Sequence, residues 1–315
     1  MKKIYTFLAA AFLAVQANAQ QEALLSQWVQ SPFLVNPAAA GSSKMQELRI
    51  FHRWQWVAFP GAPITFGVNY HTGYKSNGFG GELYVDNTGP TRRWGASASY
   101  AYHLRVAKDA RLALGLQGKF MRWEVNTSII HFADNSDPIA NAGQFSSNRG
   151  EAAAGVYFYS PKFTLGLSGV NLATTPLGIL EGSTYDVARY YRHFNVFGTA
   201  NLDFNKKELT LVPNVLLRFT EKTPIQYEVG TRLKFNLHDF GIGAAYRGSA
   251  SAGSPGFLSF NFNTILDKQY PIVIGFDIAL GQFSNYSSFA YELMGGADFY
   301  RKDMGTNYLV KPDDK

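Results

Sequence analysis

The chain has 315 residues, of which 15% are aromatic and only 17% charged, with 30 glycines, no cysteine and a formal net charge of +6. That charge is too mild for a nucleic-acid binder, and the lack of cysteine excludes both a disulfide framework and a lipid-bearing cysteine behind a leader. Glycine and aromatic rings at modest hydrophobicity suit a chain of many strands, either a secreted β protein or an outer-membrane barrel.

Residues 1–19 read as a secretory signal peptide. Lys2 and Lys3 give a positive start, residues 5–15 are an apolar run, and Ala17-Asn-Ala19 supplies small residues for cleavage. The run is too short to cross a bilayer as a helix, and no later run of about 18 apolar residues offers one. Removing the two lysines lowers the formal charge to +4. Residues 20–45 carry turn signals, Asn36-Pro37 and Gly41-Ser-Ser, but no alternation. They are expected to form a pre-barrel segment, as a plug in a lumen or as a periplasmic arm.

From residue 46 to 299 the dominant signal has period two. Trp94, Ala96, Ala98, Tyr100, Tyr102 and Leu104 fall on one face, and Gly95, Ser97, Ser99, Ala101, His103 and Arg105 on the other. The same alternation runs through Leu112, Leu114 and Leu116, through Tyr227, Val229 and Leu233, and through Ile272, Ile274, Phe276 and Ile278. Fourteen strands are expected, at 46–55, 64–73, 78–87, 93–105, 111–124, 149–160, 163–171, 190–204, 208–220, 226–235, 240–246, 256–264, 270–280 and 289–299. Most have the nine to eleven residues of a tilted membrane strand. Connections after even strands are short, whereas those after odd strands include the two longest, at 125–148 and 172–189. An even strand count with short turns at one end and long loops at the other is the outer-membrane pattern. The fold expected is all-β: a 14-stranded antiparallel transmembrane β-barrel of the outer membrane, both termini periplasmic, with a tail at 300–315.

In that orientation "RWQWVAFPGAP" (53–63) is the rim where the first strand leaves the membrane. Leu48, Ile50, His52, Trp54 and Trp56 point outward, the tryptophans at the depth of an interfacial girdle. Arg49, Phe51, Arg53 and Gln55 point into the lumen. Further inward charges are Lys119, Arg218, Arg232 and Lys234 against Glu82, Asp86, Glu228, Asp277 and Glu292, whose mixed signs suggest ion pairs and bridging water. Such a barrel is too wide for wall side chains alone to fill.

Sites of chemistry are sparse. None of the six histidines has metal-ligand spacing. His103 with Ser97 and Ser99 reads as lumen lining more readily than as a hydrolase. Asp134 and Asp137 lack the residues of a calcium loop, and Gly78-Phe-Gly-Gly81 precedes no helix, so it is no phosphate loop. No catalytic residue, metal or cofactor is expected.

The stretches "LLSQWVQSPFLVNPAAAGS" (24–42) and "RWQWVAFPGAPITFGVNYHT" (53–72) resemble the PorP/SprF family of Bacteroidetes outer-membrane proteins. Ser26, Gln27 and Trp28 stand in its Ser-Gln-aromatic opening, and Asn36, Pro37, Ala38, Ala40 and Gly41 in its Asn-Pro turn. Gln55, Trp56, Phe59, Gly61, Ala62 and Pro63 complete the third motif. Ala39 departs from the aromatic often found inside the turn, and the chain runs on past Phe299, where members commonly end. The resemblance implies a part in type IX secretion or gliding: a barrel in outer-membrane lipid that receives a secreted, adhesin-like cargo through its C-terminal domain. Periplasmic or peptidoglycan-associated components of that system are implied as further partners. Partner contacts are expected at Trp54, Trp56, Phe59, Pro60 and Pro63 and at the two long loops, with lipid anchoring the competing role for the tryptophans. A solute channel is the alternative function.

Overall fold

The computed structural model describes residues 25–130, 144–174, 190–221, 223–250, 256–281 and 289–300. The expected leader, the loop aspartates Asp134 and Asp137, and the tail beyond Tyr300 lie outside them. Among the described residues there is no α-helix.

The strands are β1 (Gln46–Trp54), β2 (Ile64–Tyr74), β3 (Asn77–Thr88), β4 (Thr91–Ala107), β5 (Ala110–Asn126), β6 (Gln144–Tyr159), β7 (Phe163–Val170) and β8 (His193–Ala200). They continue as β9 (Leu202–Phe204), β10 (Leu209–Thr220), β11 (Thr223–Phe235), β12 (Phe240–Ser249), β13 (Phe257–Leu266), β14 (Tyr270–Ala279) and β15 (Phe289–Phe299). Each pairs antiparallel with its neighbours, and β15 closes on β1, with Gln46 opposite Phe299 and Trp54 opposite Tyr291. The result is the expected closed 14-stranded barrel plus one short extra strand. That extra piece arises because β8 and β9 are two parts of one expected strand, both pairing with β10. The chain breaks step at Asn201, whose backbone N–H donates to the Lys162 carbonyl at 2.6 Å and whose side chain donates to Pro161 at 2.8 Å.

Two boundaries differ from the sequence reading for a physical reason. β6 begins five residues earlier than expected, and 144–148 is a polar stretch. It pairs with the end of β5, up to Asn126 opposite Gln144. A hairpin that rises past the bilayer needs only ladder hydrogen bonds, so its residues lose the apolar alternation that marked the rest. β12 runs on through Arg247, Gly248 and Ser249, which look like a turn in sequence but stay paired with β11.

The barrel is inside-out relative to a soluble protein. Ile50, Phe66, Leu83, Leu116, Leu165, Val229, Ile242, Phe260, Phe276 and Leu293 are all exposed on its outer wall, Leu116 at 66%. The side chains turned inward include Arg49, Arg53, Asn69, Asp86, Glu151, Glu228, Arg247, Asp277 and Glu292, every one buried. In hydrocarbon the backbone must be paired internally, and only a closed sheet with an apolar exterior satisfies that without a helix.

Residues 25–44 lie inside this cylinder. Their sequence has no alternation to make a strand. Instead they fold as two 3-10 turns, Pro32–Leu34 and Pro37–Ala39, each opened by proline. The Asn36 side chain caps the second by accepting from the Ala38 amide at 2.9 Å. Trp28, Phe33, Ala38, Ala39 and Ala40 pack with the wall residues Ala101, Ala113, Tyr157, Phe197 and Leu216 as an apolar core within the lumen. Small wall residues make this possible: a Cβ on Gly115 of β5 would run into the Ala38 backbone.

Candidate functional site

The lumen segment is held by an ion-pair network built around Ser26. The Ser26 amide donates to Glu292 at 2.8 Å, and the next amide, of Gln27, to the same carboxylate at 3.2 Å. The Ser26 hydroxyl lies 3.1 Å from Asp277, 3.1 Å from an Arg53 nitrogen and 2.8 Å from Arg247. Arg53 bridges Asp277 at 2.5 Å and Glu292 at 3.0 Å, while Arg247 bridges Glu228 at 2.8 Å. The Trp28 indole donates to Glu228 at 2.6 Å, Ser259 to Asp277 at 2.5 Å, and Arg218 to the Leu25 carbonyl at 3.4 Å.

The alternation of each strand places these groups. Arg53 comes from β1, Arg218 from β10, Glu228 from β11, Arg247 from β12, Asp277 from β14 and Glu292 from β15. Three arginines face three carboxylates, so the cluster is neutral. Fully buried ions are tolerable only when paired and hydrogen-bonded in this way. Arg53, Arg218, Glu228, Asp277 and Glu292 were legible as inward charges. Arg247 lies just past the expected end of its strand at 246, three residues short of the end of β12 at Ser249; the inner row Gly241, Gly243, Ala245 continuing to Arg247 is the signal that finds it. That Ser26 and Trp28 bind the wall had no periodic signal at all.

Lower in the lumen the Asn36 amide donates to the Val156 and Leu167 carbonyls at 2.9 and 3.3 Å, and Ser168 donates to the Val35 carbonyl at 2.5 Å. His103 meets the Ala40 carbonyl through Nε2 at 2.8 Å and Tyr159 through Nδ1 at 2.9 Å. One ring nitrogen thus holds the segment and the other the wall residue Tyr159 of β6, and Ser99 receives a hydrogen bond from Gln117 at 3.0 Å. Gly41 turns the chain out toward β1 at φ 71°, and a Cβ there would stand 2.7 Å from the Gly78 Cα and from the Thr72 carbonyl.

The remaining expected lumen residues sit as follows. Arg49 bridges Asp298 at 2.5 Å and Glu47 at 3.1 Å near the short-turn end. Lys119 lies over the Tyr84 ring, 4.8 Å from its centroid, on the strand pair where it opposes Glu151. Arg232 is buried on the inner face of β11. Gln55 is half-buried just beyond β1, where its backbone donates to the Pro63 carbonyl at 2.9 Å.

At the long-loop end, Trp54 packs edge-on to Tyr291 at 5.9 Å, and Tyr291 also stacks on His52. Phe289 and Phe276 extend this aromatic band across β15 and β14. The loop after Trp54 is tied at both sides: the Val57 amide donates to Phe289 and the Gly89 amide to Gly61, each at 2.9 Å. Trp56 and Ala58 adopt left-handed φ values of 56° and 72°, costly for residues with a Cβ and most unusual for one as large as tryptophan. Phe59 is 47% exposed at the tip beside Pro60, which is also exposed; Pro63 is half-buried at the entry to β2.

The sequence model of a family described as "Type IX secretion system membrane protein PorP/SprF" matches residues 17–296. No curated protein matches the sequence. Among solved structures the fold is similar to "CymD monoaromatic hydrocarbon channel", with a TM-score of 0.57 at 10% identity over 89% of this chain and 94% of that one. It is also similar to the Ralstonia pickettii toluene transporter TbuX (TM-score 0.52, 8% identity, 85% and 93% of the two chains). The P. putida toluene transporter TodX gives a TM-score of 0.51 at 9% identity, again over 85% and 93%. At such identities the likeness is one of fold: these are barrels of the outer membrane.

Proposed function

The chain belongs to the PorP/SprF family of type IX secretion system membrane proteins, and from that membership we propose that it is a non-enzymatic outer-membrane barrel that binds a secreted cargo protein at the cell surface. Binding is through the cargo's C-terminal domain, and it anchors the cargo or assists its export. The signal peptide is removed, the short turns and both termini face the periplasm, and the long loops face outside. Periplasmic components of the same system contact the short-turn side.

One observation carries this reading over a solute channel: the lumen is occupied by the chain's own residues 25–44, hydrogen-bonded to buried, ion-paired side chains of β1, β11, β12, β14 and β15. A barrel closed in this way acts through its rim. The first loop, with Trp54, Trp56, Phe59, Pro60 and Pro63, supports a binding edge because its strained backbone is fixed before any partner arrives. Preorganisation lowers the entropy lost on association. The connections 125–148 and 172–189, much of which lies outside the described residues, join strands at the same end of the barrel as this loop.

The test is affinity capture of the tagged barrel from intact cells. Recovery of an exported protein with a type IX C-terminal domain, lost on Phe59→Ser, supports the proposal. Steady conductance of the wild-type barrel in planar bilayers, with no exported protein or secretion component recovered, would place it among the channels.

A further inference from the structure

The short-turn half of the lumen contains cations of a different kind from those around Ser26. Arg232 and Lys234 project inward from β11 into a cavity of about 430 Å³ that Val29 and Gln30 of the lumen segment also line. Arg232 is only 8% exposed, and its Nε has no hydrogen-bond partner among the described residues. The carboxylates lining the cavity are Asp298, held by Arg49 at 2.5 Å, and Asp239 in the turn before β12. Asp203 of β9 accepts from Thr210 at 2.7 Å and is the carboxylate whose charge acts on Lys234, whereas none acts on Arg232 among the described residues.

The strand register sets what stands beside these two cations. Arg232 lies opposite Gly243, which lies opposite Asn261; Lys234 lies opposite Gly241, which lies opposite Asn263. Two rows thus repeat cation, glycine, asparagine across β11, β12 and β13. Beside the cavity the glycines leave room that amides fill: a Cβ on Gly243 would be 2.7 Å from Asn261 Nδ2, and one on Gly241 2.8 Å from the Oδ1 of Asn263, which lines the cavity and whose Oδ1 has no hydrogen-bond partner among the described residues. Asn261 accepts from Gln30 at 3.3 Å and so ties the lumen segment to β13 beside the cavity.

We propose that this cavity is an oxyanion site, taking the carboxylate or phosphate group of a soluble ligand that enters through the short-turn mouth. A buried guanidinium without a counter-ion is costly, and an anion offsets that cost. Arg232 offers the planar fork that engages two oxygens, Lys234 a point charge, and the NH₂ of Asn263, which also lines the cavity, a neutral donor. The barrel wall stands between the cavity and the bilayer, so a lipid headgroup is not the source. The site does not depend on the cargo reading; the orientation proposed above only sets the compartment, the periplasm, from which the ligand comes.

Calorimetric titration of the folded, full-length barrel in detergent with inorganic phosphate, and separately with succinate, tests this. Binding of one or both is expected, and the tighter probe identifies the preferred group. Arg232→Gln should weaken it by about tenfold or more and Arg232→Lys by less, as the fork is lost but the charge kept. No binding of either probe to the wild type, equal affinity in Arg232→Gln, or binding only to phosphatidylglycerol vesicles would overturn the assignment. Should Arg232→Gln fail to fold, Lys234→Gln is read by the same criteria.

Discussion

The Trp28 indole nitrogen and the Glu228 carboxylate meet at 2.6 Å, joining the lumen segment to a strand 200 residues away. Glu228 also receives Arg247 at 2.9 Å, so the tryptophan completes the coordination of a carboxylate that is itself buried. The Ser-Gln-Trp sequence therefore works as a latch, with backbone amides on Glu292, a hydroxyl between two arginines, and an indole on Glu228.

Trp28→Phe keeps most of the ring that packs on Phe197 but deletes the donor. Leaving a buried carboxylate short of one hydrogen bond costs about 1–3 kcal/mol. The segment should then become several-fold more sensitive to protease while the barrel still migrates as folded on a heat-modifiability gel. Unchanged cleavage kinetics would show that the indole bond does not hold the segment in place.

Arg53→Ala removes the cation shared by Asp277 and Glu292. Breaking one member of a buried ion network typically costs about 3–5 kcal/mol. The expected result is a clear fall in the unfolding temperature of the purified barrel. Arg122→Ala, whose bridge to Glu124 is partly exposed, should change it little.

Gly115→Val separates the lumen segment from the wall. Valine suits a strand better than glycine does, but its side chain would occupy the space of the Ala38 backbone. The variant should fold as a barrel, lose the segment from the lumen and conduct ions in planar bilayers where the wild type does not. If it stays closed, the segment is not what closes the lumen.

Leu116→Arg tests which face meets lipid. Leu116 is 66% exposed in the middle of β5, and a charge at the bilayer midplane costs about 2–4 kcal/mol. Gln117→Arg, one residue on and facing inward, should cost much less when both are unfolded by denaturant from lipid vesicles. Equal penalties would contradict the assignment of faces.

All fourteen membrane strands were legible in sequence because an apolar exterior and a different, inward face impose the same two-residue period along the wall. The inward direction of Arg49, Arg53, Lys119, Arg232 and Asp277 followed from that period, since one strand face fixes the other. What was not legible was anything without a period. Residues 25–44 contain turn signals that fit a plug or an arm equally well. Their place was decided by pairings 63 to 266 residues apart: Ser26 with Glu292, Trp28 with Glu228 and Ala40 with His103. Arg247 was lost to a glycine and a serine that resemble a turn until β11 is seen beside them. Local alternation is a property of the chain against its solvent, and one sequence carries it. Which charge meets which, and what fills the cylinder, depends on closure of β1 onto β15, which brings the two ends of the barrel's sequence together.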